Sequence, residues 1–110
     1  MIGIEDAFRA LGEPNRRRIM DALLEQPRAV GDLVDRLGLS QPGTSKHLRV
    51  LRDARLVQVR VEGQRRVYEV CPGPLRNVEH WLAPYRRLWA ASLARLEHEL
   101  RSSEQEATKS

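Results

Sequence analysis

A single cysteine, Cys71, stands among the 110 residues, so no intrachain disulfide can staple the fold and a reducing compartment is expected. No apolar run approaches the roughly 20 residues of a membrane-spanning helix. The N-terminus lacks the basic-then-apolar layout of a secretion signal. A cytoplasmic protein without a membrane partner is therefore expected. A phosphate loop and a dinucleotide fingerprint are missing too, as are internal repeats and low-complexity stretches. Ser45, His47 and Asp53 share one helix but point to differing faces, and no other base or acid cluster converges on them. The chain reads as a non-enzyme.

What is present is charge, unevenly spread. Lys and Arg number 19 against 15 Asp and Glu, a net +4. From Ser40 to Arg66 seven basic residues (Lys46, Arg49, Arg52, Arg55, Arg60, Arg65 and Arg66) meet two acids, Asp53 and Glu62, so this segment's +5 exceeds the net charge of the whole. Clustered cations of this kind point to a polyanionic partner. The length allows one domain with a small core, and a second copy would help to bury apolar surface.

Apolar periodicity orders the chain. Ile4, Ala7, Phe8 and Leu11 mark a short helix stopped by Gly12. Pro14 opens the next helix, whose buried stripe is Ile19, Met20, Leu23 and Leu24, and Pro27 closes it. Val30, Leu33, Val34 and Leu37 form a two-turn helix ending at Gly38. Only Gly38-Leu39-Ser40 then precedes a fourth helix, a helix-turn-helix spacing. Val57, Val59 and Val61 alternate with polar residues, Glu62 to Arg65 turn, and Arg66 to Val70 return as a β-hairpin with a basic tip. After Pro72-Gly73-Pro74 one long helix is expected from Leu75 to about Arg101, roughly 40 Å at 1.5 Å per residue, with a kink at Pro84. The expected layout is one domain over residues 1–101 and a flexible polar tail over 102–110. Its fold class is mainly α with a small β-hairpin: a winged helix-turn-helix.

Projected at about 100° per residue, the fourth helix separates into two halves. Thr44, His47, Leu48, Val50, Leu51 and Ala54 fall on one; Gln41, Pro42, Ser45, Lys46, Arg49, Arg52 and Asp53 fall on the other. Ser40 is a preferred N-cap, and Pro42 and Gly43 are tolerable in the first turn, where backbone N–H groups lack helical acceptors. Such a helix fits the major groove of duplex DNA with its N-terminal residues nearest the base edges. Gln41 suits adenine, Ser45 is a short adaptable donor and acceptor, Lys46 suits guanine or phosphate, and Arg49 and Arg52 suit phosphates, which position without specifying. The expected DNA-binding set is Gln41, Thr44, Ser45, Lys46, Arg49 and Arg52 on the helix and Gln64, Arg65 and Arg66 on the wing. Arg65 is favoured over Arg66 for the minor groove, because strand alternation can turn Arg66 away. His47 reads as packing between helices, and the Arg16-Arg17-Arg18 run, beside Glu13 and Asp21, as ordinary surface or ion pairing. The competing reading is a winged-helix module that docks a protein partner rather than DNA.

On the last helix Leu75, Val78, Leu82, Tyr85, Trp89, Ser92 and Leu96 step by three and four, a heptad-like seam. Trp81, Leu88, Leu93 and Leu100 flank it. A face this wide on a body this small points to a homodimer.

The stretches "ALGEPNRRRIMDALL" and "AVGDLVDRLGLSQPGTSKHLRVLRDARLVQVRVEGQRRVYEV" resemble the ArsR (arsenic-repressor-like) winged-helix transcription regulators of bacteria over about residues 4–101. The resemblance implies a homodimeric repressor that binds a palindromic operator in double-stranded DNA and leaves it when an inducer arrives. It also implies pairing through the first and last helices, which adds Phe8 to the interface residues Leu82, Tyr85, Trp89 and Leu96. Gln41, Ser45 and Lys46 match family positions that face DNA and Arg65 matches the wing, whereas Pro42 stands where many members have a DNA-contacting Ser. Glu13-Pro14-Asn15 replaces the family's frequent Asp-Pro-Thr, a weaker cap for the second helix. The family's metal motifs are replaced: Ala29 and Gly31 occupy the Cys-x-Cys positions before Asp32-Leu33, and Asn77, Glu79, Ala90 and Leu93 the ligand positions of the last helix. His80, His98 and Cys71 reproduce no ligand spacing. No metal or other cofactor is expected, and Cys71 reads as a small apolar filler rather than a redox switch.

Overall fold

The computed structural model describes residues 3–109, with side chains through 106. Two compact units are formed, Met1–Val78 and Glu79–Ser110. In the first, α1 (Ile4–Leu11) begins where the Gly3 N–H donates to the Asp6 carboxylate at 3.2 Å. Helix α2 (Pro14–Glu25) has proline in its first turn, and the Glu13 carboxylate accepts the Arg16 N–H at 3.0 Å, so Glu13 serves as its cap. Helix α3 (Val30–Leu37) stops at Gly38, whose φ of 67° lies in the left-handed region that glycine enters without steric cost. Leu39 and Ser40 complete the expected turn into α4 (Gln41–Asp53).

Strands β2 (Val57–Glu62) and β3 (Arg65–Val70) form the hairpin, with Val61 opposite Arg66 and Glu62 opposite Arg65. The sheet has a third strand that the sequence reading lacks: β1 (Arg28–Ala29) pairs antiparallel with Tyr68 and Val67, giving the order β1-β3-β2. Two residues are too few to display alternation, so only the pairing reveals them.

The core joins α1 to α4 and the base of the sheet. Ile19, Leu33, Leu51 and Leu56 are fully buried, with Ala7, Ala10, Leu23, Leu48 and Val57 around them. Burying each of the leucine, isoleucine and valine side chains contributes roughly 1.5–3 kcal/mol. Leu75 and Val78, the first two positions of the expected heptad seam, pack against this core instead of a partner.

Helix α5 spans Gly73–Lys109 and continues across Pro84. It is longer than the expected Leu75-to-Arg101 helix and takes in the segment expected as a flexible tail, apart from Ser110, which lies outside the described residues. The physical reason is composition: Glu104, Gln105, Glu106 and Ala107 are good helix formers and neither Gly nor Pro follows Pro84. Among the described residues no helix is long and apolar enough to cross a membrane.

Candidate nucleic-acid interface

Helix α4 starts with an interlocked cap. The Ser40 hydroxyl accepts the Gly43 N–H at 3.1 Å, and a Cβ on residue 43 would stand 2.8 Å from that oxygen. Gly43 therefore lets the cap close, worth about 1 kcal/mol. With the start so held, Leu48 and Leu51 anchor the inner face while Gln41, Ser45, Lys46, Arg49 and Arg52 are exposed. The amphipathic division expected from the sequence is thus present in space.

Thr44 departs from the expected DNA-binding set. It is fully buried, and its hydroxyl donates to the Ser40 carbonyl at 2.8 Å. It lies on the core side of α4, so it secures the first turn and offers nothing to a groove. His47 is half-buried between α4 and the start of α2, as expected. Its Nδ1 lies 3.8 Å from Glu13 Oε2 without a hydrogen bond.

Arg60, counted within the basic segment, is already neutralised: it pairs with Glu62 at 2.9 Å and Glu69 at 3.1 Å. Among the described residues no side-chain bond or ion pair engages Lys46, Arg49, Arg52, Arg65 or Arg66. Five free cations thus gather on α4 and at the hairpin tip, and Gln64 is exposed beside them in the turn.

Strand parity divides the two tip arginines, as the alternation in the sequence suggested. Residues 66, 68 and 70 share one face of β3, and Tyr68 and Val70 pack against the core. Arg66 therefore points to the α4 side and Arg65 to the outer face. Arg66 and Tyr68 line a cleft of about 570 Å³ together with Ser45, Arg49, Arg52 and Asp53, floored by Val30 and Leu48. Tyr68 carried no signal of its own; the parity of β3 could have found it.

In the Arg16-Arg17-Arg18 run Arg17 and Arg18 are exposed, as an ordinary surface requires, but the partners are carbonyls and not the acids of ion pairs. Arg16 donates to Arg9 and Ala10, Arg17 to Leu11 at 2.6 Å, and Arg18 to Leu37 at 2.9 Å. They satisfy the last carbonyls of α1 and α3, which have no helical donors. Arg28 does the same for α2 from a buried position. Its Nε donates to the Ala22 carbonyl at 2.9 Å, Nη1 to Asp32 and Nη2 to Glu25, each at 2.8 Å, and its side chain is 4% exposed. This residue ties the end of α2 to the first helix of the helix-turn-helix, and nothing in the linear pattern marks it.

Cys71 follows β3, half-buried, its N–H donating to the Leu56 carbonyl at 2.9 Å. Burial, and secondarily the charge of Glu69, push its thiol above the ordinary value. The reactive thiolate is therefore scarce at neutral pH and grows only as pH climbs beyond the usual thiol range. Cys71→Ser is expected to leave DNA affinity within about twofold, and wild-type protein should react with a thiol reagent more slowly than free cysteine. Peroxide that releases DNA from wild type but not from Cys71→Ser would overturn this. Among the described residues no group of three or more His, Cys, Asp or Glu side chains is placed to hold a metal ion.

The comparisons with known proteins agree with this geometry. The family model described as bacterial regulatory protein, arsR family, matches residues 13–59. The chain is 47% identical over 87 residues to the HTH-type transcriptional regulator Rv2034 of Mycobacterium tuberculosis, covering 79% of this chain and 78% of that one. It is 28% identical to the transcriptional repressor SdpR of Bacillus subtilis over 72% of this chain and 88% of the relative. Among solved structures it resembles the homodimeric winged helix-turn-helix DNA-binding domain Mb0332 of Mycobacterium bovis, with a TM-score of 0.59 at 25% identity, covering 86% of this chain and 82% of that one. With the turn, the two-faced α4 and the basic hairpin already in place, a relative nearly half identical over most of both lengths shows that this winged helix-turn-helix chain belongs to the arsR family of bacterial regulatory proteins.

Proposed function

We propose that the protein is a transcriptional repressor, not an enzyme, that works in the cytosol and binds a palindromic operator as a homodimer. One observation carries the reading: five cations without intramolecular partners, Lys46, Arg49, Arg52, Arg65 and Arg66, are gathered on the exposed face of α4 and the adjoining hairpin. Gln41, Ser45 and Lys46, on the first turns of α4, read base edges in the major groove. Arg65, on the outer face of the tip with Gln64 beside it, reaches the neighbouring minor groove. The names of SdpR as a repressor and of Mb0332 as a homodimeric DNA-binding domain support the same role.

The homodimer is supported by the second unit. Tyr85, Leu88, Trp89, Leu93, Leu96 and Leu100 are each about half exposed, an apolar stripe longer than isolated surface residues produce. Of the expected interface residues Tyr85, Trp89 and Leu96 belong to this stripe, Leu82 is half-buried, and Phe8 on α1 is 40% exposed. Two-fold symmetry would set two α4 helices into successive major grooves, on half-sites about 34–36 Å apart.

The test is a binding titration of the protein with a duplex selected from a random-sequence pool, repeated over a salt series. If each of the five cations neutralises one phosphate, log K should fall with log salt at a slope as steep as about −4.5 per protomer. Absent or salt-independent duplex binding would sink the reading and favour a module that docks a protein partner.

A further inference from the structure

The cleft between α4 and β3 holds more positive charge than the fold uses. Arg49 and Arg52 stand three residues apart on α4, so their side chains are neighbours, and Arg66 faces them from β3. Asp53 is the only acid in the lining, which leaves a surplus of two charges over an apolar floor of Val30 and Leu48. Two other arginines of the same unit are answered from within: Arg60 by Glu62 and Glu69, Arg28 by Glu25 and Asp32. Here none of the three guanidinium groups has a bond to the protein. Like charges held together beside apolar surface repel unless an anion joins them, and planar guanidinium forks match a tetrahedral oxyanion.

We propose that this cleft seats one backbone phosphate of the operator, held by Arg49 and Arg52 from the helix and Arg66 from the wing, with the Ser45 and Tyr68 hydroxyls within the same lining. The inference rests on the DNA-binding reading and adds a division of labour to it. Gln41 and Arg52 are eleven residues apart, roughly 16 Å along the helix, so the seat's arginines lie beyond the base-reading first turns and the two regions meet only at Ser45. The seat's anion is therefore a phosphate, which fixes position without sequence information. Because the three arginines come from two elements, one anion fastens the recognition helix and the wing together and sets how the wing lies on the duplex. Arg66, rather than serving as a second groove-reading arginine beside Arg65, is the wing's contribution to that seat.

The experiment compares wild type, Arg66→Ala, Arg66→Lys, Arg52→Ala and the Arg52→Ala/Arg66→Ala pair on the selected duplex and on an unrelated one. Arg66→Ala is expected to weaken binding about tenfold on both duplexes and to flatten the salt slope by less than the roughly 0.9 of a whole phosphate, because Arg49 and Arg52 still hold the shared anion. Arg66→Lys should restore the slope but only part of the affinity, since the charge returns without the fork. The double variant should lose less than the product of its single losses, as residues sharing one anion do. Duplexes carrying one neutral methylphosphonate each should reveal one position per half-site that weakens wild type more than it weakens Arg66→Ala, in which Arg49 and Arg52 still hold the phosphate. A loss confined to the selected duplex, or a scan without such a position, would overturn the seat. Inorganic phosphate that competes with duplex for wild type but not for Arg66→Ala at matched ionic strength would make it a site for a free anion instead. Failure of wild type to bind either duplex would refute the DNA reading itself, an outcome distinct from all of these.

Discussion

Trp89→Glu is expected to turn the protein into monomers that bind only half-sites, and weakly. Trp89 is 57% exposed on a stripe with Tyr85, Leu88, Leu93 and Leu96, and an aromatic anchor at the centre of an interface typically costs at least about 2 kcal/mol when lost. A two-fold interface contains the residue twice, so the dimer weakens by about 4 kcal/mol or more, roughly a thousandfold. The introduced carboxylate adds a desolvation cost that solvent relieves only when the chains part. Sedimentation at micromolar concentration should find wild type as a dimer and the variant as a monomer of unchanged thermal stability in its first unit, whose core lies in residues 7–57 with Leu75 and Val78 against it. A wild-type monomer, or a variant that stays dimeric with full operator affinity, would refute the arrangement.

Arg28→Met is expected to have the largest effect on folding. Methionine keeps much of the buried stem but removes the donor to the Ala22 carbonyl and both charge-assisted bonds. Glu25 and Asp32 are 63% and 41% exposed, so water takes up much of what they lose. Orphaning the carbonyl at the end of α2 costs more than losing either carboxylate, and together the losses come to about 2–4 kcal/mol. Against a stability of roughly 5–15 kcal/mol this is severe, and Tm should fall on the order of 10–20 °C. Affinity for DNA should fall with it even at temperatures where the variant is folded, because Arg28 ties α2 to α3, the helix that α4 packs behind. A melting curve that shifts by less than about 3 °C would show that Arg28 is not the clamp described.

How far the sequence sufficed depended on whether a feature is local. Helix starts and stops were legible because capping is decided within four residues: Pro14, Gly38 and Ser40 each act on backbone beside them. The two faces of α4 were legible because a helix imposes its period on any sequence that adopts it. Even Thr44 fell on the inner half of the projection, and its burial follows from that position. Arg55, in contrast, takes a φ of 59° after α4 without a glycine to announce it. The Leu56 N–H reaching back to the Leu51 carbonyl holds it there.

By itself the sequence determined the order of elements, the helix-turn-helix spacing, the basic character of α4 and the hairpin, and the absence of the family's metal-ligand residues. Only tertiary structure decided which cations remain free. Arg16, Arg17, Arg18, Arg28 and Arg60 read in one dimension like Arg49, Arg52 and Arg66, yet carbonyls and carboxylates brought by folding engage the first five and leave the last three bare. The same holds for β1, which exists only because β3 lies beside it, and for the side of the sheet that Arg66 occupies. Local geometry follows from neighbours in the chain, whereas a long flexible side chain takes its partner from whatever the fold brings within reach.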